Sequence, residues 1–348
     1  MYLIAADIGF GHIKVMSAVV DKEQNQAKVM TKEIIPSAIR LLHSGNDFKI
    51  SEHVDYVRIK DKEYLVGYSA LISDKSLRVR TSEFMLENLP VYLQRILKFK
   101  LQKPDILILG TPFQEWKRLK DKFIQTGREF AEKVYCIPQA AASGLVVDTK
   151  GSKAVVLDIG FNTCDAVPLD NNGRIIADEG KSWEKTGIST VLDELNDYLK
   201  NLFGYSPSPA DLENIIKKPK SIKKYFPEIT EDMINSFLKN FDSIVKDKFW
   251  FINAKLNNDF GYNFGKLILV GGGANVFKKE FKRVYSKNLI IPKDCQFANV
   301  KGFLLYGLSV SGFKGNILWD YNKEIIEMEH TGSSEVLEQS EQVEKNTE

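Results

Sequence analysis

The chain has 348 residues, a formal net charge of +2, 43% hydrophobic residues and 27% charged residues. That length can bury one large core or two ordinary ones, so two lobes are expected. The near-neutral balance argues against a protein that coats nucleic acid through bulk charge and against a highly acidic one. Cys136, Cys164 and Cys295 form no Cys-x-x-Cys pair, and His12, His43, His53 and His330 show no zinc spacing, which points to a reducing cytosol. No basic leader precedes the first apolar run, and no run approaches the roughly 20 apolar residues of a membrane span, so a soluble cytoplasmic protein is expected.

In chain order, the apolar run Leu3 to Ala6 ends at Asp7 and bends through Gly9 and Gly11, which reads as a hairpin whose second strand runs from Ile13 to Val20. A polar turn around 21–26 leads to another strand, Ala27 to Ile35, stopped by Pro36. Short alternating runs over 37–70 predict small strands of an inserted subdomain. Leu89, Leu93, Ile96 and Leu97 share a helical face, Asp105 to Leu109 is a buried strand, and Gly110-Thr111-Pro112 turns into a charged amphipathic helix. Tyr135 to Ile137 is the next strand, and Pro138 to Gly144 predicts a tight turn into a small-residue helix.

The polar stretch Asp148 to Lys153 separates two halves, and the second opens by repeating the idea of the first. Val155 to Leu157 runs into Asp158-Ile159-Gly160-Phe161, the same four letters as Asp7-Ile8-Gly9-Phe10, and bends through Gly160 and Asn162. A helix over about 188–202 follows, Pro207 and Pro209 mark a break, and a Thr230 cap opens a long helix to about Leu256 with an apolar stripe at spacings of three and four. Leu267 to Val270 is a strand running into Gly271, Gly272 and Gly273 before a helix that begins near Ala274. Leu289 to Ile291 is a last short strand, Ala298 to Ser311 a helix, and from about Lys323 the chain is acidic and poor in aromatics, which predicts a disordered tail.

These residue types suit one chemistry. Glycine or asparagine at a hairpin bend tolerates positive φ, so that successive amides can point into one concavity and bind phosphate oxygens. A carboxylate beside polyphosphate needs a cation between them, and Mg2+ retains waters that Asp7 and Asp158 could orient. The triple glycine invites close approach of backbone to a ligand.

The two hairpins and the triple glycine, in this order, resemble the phosphate-1, phosphate-2 and adenosine motifs of the actin, Hsp70 and sugar-kinase superfamily. Ile35-Pro36-Ser37 followed by Tyr64 to Ala70 (YLVGYSA) is similar to the first lobe of the ParM-like bacterial and archaeal segregation actins. The resemblance implies an α/β, two-lobed actin-like ATPase fold built from duplicated RNase H-like lobes. Lobe I would span 1–150 with an inserted subdomain at about 30–80, and lobe II 151–297 with a helical insertion at about 189–262. A helix within 298–322 would return to lobe I, and 323–348 would be the tail.

It further implies ATP, or GTP, with Mg2+. Phosphate contacts would come from Gly9, Phe10, Gly11, His12 and Lys14 in one loop and from Gly160, Phe161, Asn162 and Thr163 in the other. Phe10 stands where many relatives have Ser or Thr, so backbone amides would replace a hydroxyl there. His12 reads as a solvent-facing loop residue without a catalytic role. Asp165 either completes the second motif or stabilises its turn. Gly271, Gly272, Gly273 and Ala274 would lie against the ribose and α-phosphate, and Glu213 would contact the ribose or base. Asp7, Asp158 and Gln139 are the expected catalytic set. Gln139 would hold the attacking water in line rather than act as a base, so hydrolysis would be slow.

The expected function is a filament protein that assembles head-to-tail with its own copies and moves DNA through a DNA-binding adaptor, with no direct nucleic-acid or membrane contact. The alternatives are a non-polymerising ATP-binding scaffold of a pilus-type machine and a small-molecule kinase on the same fold. A chaperone of the Hsp70 kind would need a substrate domain after the lobes, and a membrane-tethered division actin a basic, apolar-faced terminal helix.

Overall fold

The run Tyr2–Ile8 is a strand buried at every position, as expected of a strand covered on both faces. It pairs antiparallel with His12–Asp21 and parallel with Ile106–Thr111. Gln26–Pro36 extends the antiparallel side and Lys133–Pro138 the parallel side. The second sheet repeats this plan around Ala154–Ile159, which is antiparallel to Thr163–Leu169 and parallel to Lys266–Val270. Lys181–Glu184 and Leu289–Ile290 are its outer strands. Both central strands end in Asp-Ile, and the strand order around them is the same, so the duplicated two-lobed α/β fold is present. The computed structural model describes residues 1–42, 55–71, 77–78, 81–98, 102–149, 151–261 and 264–319. The acidic stretch 323–348, His43, His53 and His330 lie outside these residues.

Alternation along the strands decides which way each aspartate faces. Tyr2, Ile4, Ala6 and Ile8 pack toward helices Leu89–Lys98 and Trp116–Gly127, whereas Leu3 and Ala5 pack toward helix Ala298–Val310. Asp7, two residues beyond Ala5, falls on that second face. In the other lobe, Val155, Leu157 and Ile159 meet helices Ser189–Phe203, Glu231–Phe260 and Ala274–Tyr285. Ala154 and Val156 instead join a seam with Ala140, Ala141, Val167 and Ile268. Asp158 continues that seam face, so both aspartates are delivered to the junction of the lobes by pleat alone.

Helix Ala298–Val310 makes the junction tight. A Cβ on Gly302 would lie 2.0 Å from the Ala142 carbonyl oxygen, and one on Gly307 2.4 Å from Ile108 Cδ1. Gly302→Ala must therefore push the helix off the 141–146 turn. We expect a loss of about 1–3 kcal/mol, the usual cost of overpacking, read as a lower denaturation midpoint at constant m-value.

The expected break at Pro207 and Pro209 is present, between helix Ser189–Phe203 and helix Pro209–Lys217, with Pro209 in the first turn of the second and the Ser208 hydroxyl accepting from the Asp211 amide. Proline at that position gives up only an N–H that would lack a helical partner anyway. Other details depart from the sequence reading. The small-residue segment Ala141–Val146 is a 3-10 helix. The long helix keeps its Thr230 cap but runs on to Phe260. Helix 298–310 is followed by a strand, Asn316–Leu318, parallel to the start of Gln26–Pro36.

The inserted four-stranded sheet comprises Ala38–Leu42, Tyr56–Ile59, Lys62–Val66 and Leu77–Arg78. Its Ala38, Ala70 and Leu71 cluster includes Ala210 from helix Pro209–Lys217, so the lobes also touch at the rim of the cleft. No helix among the described residues is long and apolar enough to cross a membrane. Cys136, Cys164 and Cys295 are free and buried.

Candidate functional site

A cleft between the lobes is lined by Asp7, Gly9, Phe10, Gly11, His12 and Lys14 from the first hairpin, and by Asp158, Gly160, Phe161, Thr163 and Asp165 from the second. Gln139, Glu213, Lys217, Gly272, Gly273, Gln296 and Asn299 complete its polar and glycine lining. Ile188, Leu192, Ile216 and Val276 form an apolar wall at the lobe II side. Of the residues expected at the site, three stand apart from this lining. Asn162 faces a neighbouring hollow, Ala274 is buried in the lobe II core, and Gly271 lies directly behind Asp158.

Gly271 has φ +89°, and a Cβ there would come 2.1 Å from Asp158 Oδ1. The first glycine of the triplet is thus required by backbone conformation and by the carboxylate it supports. Its amide donates to the Cys295 carbonyl (3.0 Å), and that of Gly273 to the Ile159 carbonyl (2.8 Å), tying the triplet to the second hairpin.

In the hairpin bends, the Gly9 amide donates to the His12 carbonyl (3.2 Å) and the Gly160 amide to the Thr163 carbonyl (2.9 Å). Both bends are buttressed from behind. Ser37 gives its hydroxyl to the Gly9 carbonyl (2.5 Å) and its amide to the Gly11 carbonyl (2.9 Å). Ile188 and Ser189 donate their amides to Gly160 and Phe161 (3.1 and 2.8 Å). Ser37 is the last residue of the Ile-Pro-Ser segment, which gives that segment a definite structural task.

The charged groups form one cluster. Lys14 Nζ is 3.0 Å from Asp7 Oδ2, and Gln139 Nε2 donates to Asp7 Oδ1 at 2.7 Å. Asn299 Nδ2 donates to Asp158 Oδ2 at 2.6 Å. Burial alone would lower the Lys14 pKa, but Asp7 and Asp158 more than offset it and the pKa is raised. Burial pushes the Asp158 carboxyl up to about 6, against the pull of Lys14 and of the Asn299 amide. Burial likewise carries Asp165 up to about 7, against hydrogen bonds from the Ser182 hydroxyl and the Phe113 amide. Asp165 therefore reaches its own sheet and a lobe I loop as well as lining the cleft.

Among the described residues no group of three or more His, Cys, Asp or Glu is arranged to hold a metal ion. Asp7 and Asp158, two buried carboxylates at strand ends, fit instead a hard cation that retains waters and arrives with a ligand, as Mg2+ does with phosphates. The elevated pKa of Asp158 points the same way, since such a cation would compensate a charge that burial opposes.

Two further contacts cross the cleft. His12 is not the solvent-facing residue expected: its Nε2 lies 3.4 Å from Glu213 Oε2, with both side chains largely buried. Phe161 lies against Gly11, where a Cβ would sit 2.8 Å from its ring. The cavity encloses about 110 Å³, against roughly 300–1,000 Å³ for ordinary ligand pockets. The hollow beyond Phe161, lined by Asn162, Lys185 and Ser189 among others, encloses about 650 Å³. Phe161 and Leu192 line both.

Sequence reasoning missed Asn299, because a single asparagine in an apolar helix carries no motif. A buried amide at the start of a helix rich in close-packing glycine was the only available signal.

Residues 156–283 match the profile of the C-terminal part of the archaeal actin homologue MreB-like family. No curated protein matches the chain significantly. Solved structures match nearly throughout. A 15-stranded ParM filament from Clostridium botulinum is 18% identical with a TM-score of 0.67, covering 88% of this chain and 99% of that one. An archaeal actin homologue in complex with ADP is 16% identical with a TM-score of 0.61, covering 87% and 98%. Bacillus thuringiensis ParM with ATP is 14% identical with a TM-score of 0.59, covering 89% and 99%. At these identities the shared property is the fold.

Proposed function

We propose that this chain, which has the two-lobed actin-like fold of ParM and the archaeal actin homologues, is a nucleotide-dependent filament protein that binds and slowly hydrolyses ATP or GTP with Mg2+. The observation that carries the reading is the convergence of two Asp-Ile-Gly-Phe hairpins, one per lobe, on a single cleft that also receives Gln139. Phosphates would lie between the bends, with Lys14 exchanging its Asp7 partner for a phosphate oxygen. Mg2+, when bound, would supply charge neutralisation for the phosphates, and Asp7 and Asp158 would hold it through its waters. Gln139, hydrogen-bonded to Asp7 and to the Ile8 carbonyl (3.3 Å), would orient a water. An amide has no useful basicity, so its contribution is geometric and turnover is slow. The base would rest on the apolar wall of Ile188, Ile216 and Val276, with Glu213 at its edge.

The same ligand would bridge the lobes and favour the closed form. Copies joined head-to-tail without closing a ring make a filament. The likeness to a ParM filament supports self-association, and movement of DNA through an adaptor is the finer part of the proposal.

The test is sedimentation and light scattering with Mg2+ and ATP, GTP, ADP or no ligand, alongside phosphate release. Triphosphate-dependent assembly is expected. Tight nucleotide binding with no sedimenting species over a wide range of concentration and salt would sink the filament reading. A second expectation concerns access to the cleft. Phe161→Ala removes the aromatic part of the wall that Phe161 and Leu192 share between the cavity and the neighbouring hollow, so nucleotide release, followed with a fluorescent analogue in stopped flow, should speed up by roughly 10-fold. An unchanged rate would mean that lobe opening alone limits exchange.

A further inference from the structure

Asn299, the second residue of helix Ala298–Val310, is buried and has three hydrogen bonds reaching two lobes. Its Nδ2 donates to Asp158 Oδ2 at 2.6 Å. Its Oδ1 accepts from the Ala140 amide at 3.0 Å and from the Ser143 hydroxyl at 2.6 Å. Both lone pairs of that oxygen are thereby used.

The turn it holds is strained. Ala140 has φ +61° and ψ −51°, and the Ala141 amide closes a three-residue turn onto the Gln139 carbonyl at 2.6 Å. This is the rare form of γ-turn, and a non-glycine residue in such a conformation persists only where its surroundings enforce it. Here backbone bonds hold the turn on either side, from the Gln139 amide to the Thr111 carbonyl (2.9 Å) and from the Ser143 amide to the Ala140 carbonyl (3.1 Å), and the side-chain contact on the strained residue itself is the Asn299 oxygen on the Ala140 amide. The strain has an evident use, because the residue just before it is Gln139, whose side chain the turn aims at Asp7.

We propose that Asn299 is a positioning residue that couples the Asp158 carboxylate in lobe II to the Gln139 turn in lobe I. Hydrolytic geometry then forms only when both are engaged. The inference rests on the nucleotide-hydrolysing reading of the cleft. Asn299 has the one side chain of its size that can donate to a carboxylate while accepting from a backbone amide and a hydroxyl. Aspartate keeps the acceptor and loses the donor, alanine loses both, and glutamine is one methylene too long for the same span. The loop amides, Lys14 and the apolar wall make none of these contacts, and of the groups that would carry nucleotide affinity only Asp158 does, so losing Asn299 falls far more on turnover than on affinity.

The experiment uses the full chain, with Asn299→Ala and Asn299→Asp, and three readouts: affinity for a fluorescent ATP analogue, single-turnover phosphate release, and amide hydrogen exchange. In Asn299→Ala, affinity should stay within roughly 3-fold while phosphate release falls by roughly 100-fold, the cost of a small misplacement of a positioned group. The Ala140 to Ser143 amides should exchange at least about 10-fold faster, with those of 303–310 unchanged. In Asn299→Asp, which keeps the acceptor and the volume, the Ala140 amide should remain protected while phosphate release still falls.

Proportional loss of affinity and rate, exchange rising evenly along the helix, or wild-type hydrolysis in either variant would overturn the proposal. If the wild-type chain binds no nucleotide, the function reading fails. The exchange readout then still decides whether Asn299 holds the turn, and unaltered protection at Ala140 in Asn299→Ala would refute that part by itself.

Discussion

Asp158→Asn is expected to raise the thermal stability of the ligand-free protein at pH 7.5 while lowering Mg2+-dependent phosphate release by roughly 10²–10³-fold, the scale of one lost electrostatic contact to a transition state. The two effects share a cause. Burial lifts the Asp158 pKa from 3.8 to about 6, so above pH 6 the fold carries an ionised group that would be easier to bury neutral. This net shift of about two units already includes the attraction to Lys14 and corresponds to about 3 kcal/mol at most, so a gain on the order of 1–3 kcal/mol is expected. Asparagine keeps the shape and can accept from the Asn299 amide. At pH 4 the wild-type carboxyl is itself largely protonated, so the gain should shrink toward zero. Melting curves of both proteins at pH 4 and 7.5 check this, and a variant less stable than wild type at pH 7.5 would show that Asp158 is held for structure.

How much of this was legible in the sequence depends on how local the signal was. The two hairpins were readable because a buried strand, an aspartate and a glycine bend all lie within a dozen neighbouring residues, and pleat then fixes the aspartate's face. The Thr230 cap and the long helix were readable for the same reason. The break at Pro207 and Pro209 was readable too, but not the short helix that Pro209 opens, because only the Ser208 cap marks proline as a first-turn residue there. Nothing local could reveal that His12 meets Glu213, that Asp165 reaches the Phe113 amide, or that Asn299 spans from Asp158 to Ala140. Each joins segments far apart in the chain, and each depends on how the lobes are seated. The tight turn and small-residue helix after Gln139 were readable, but not that the helix is 3-10 or that Asn299 captures the Ala140 amide.

The affinity for Mg2+ and nucleotide is expected to rise with pH between about 5 and 7.5, over the same range in which the ligand-free fold becomes less stable. Asp158 and Asp165 have folded-state pKa values of about 6 and about 7, both above 3.8. Between those limits the folded protein retains protons that the unfolded chain releases. The stability this confers is complete below about pH 4 and is lost as pH rises through 6 and then 7. A hydrated cation demands the opposite, because a carboxylate orients its waters only when ionised, so binding at pH 6 must expel protons. Each coupled group adds up to a tenfold change in affinity per pH unit below its pKa, so a total of roughly 100-fold is expected. Calorimetric titrations at pH 6 in buffers of different ionisation enthalpy would count the protons directly, and Asp165→Asn should flatten the upper part of the profile. A pH-independent affinity without proton release would mean that the nucleotide is held by the loop amides and Lys14 alone, leaving the buried carboxylates to join the lobes.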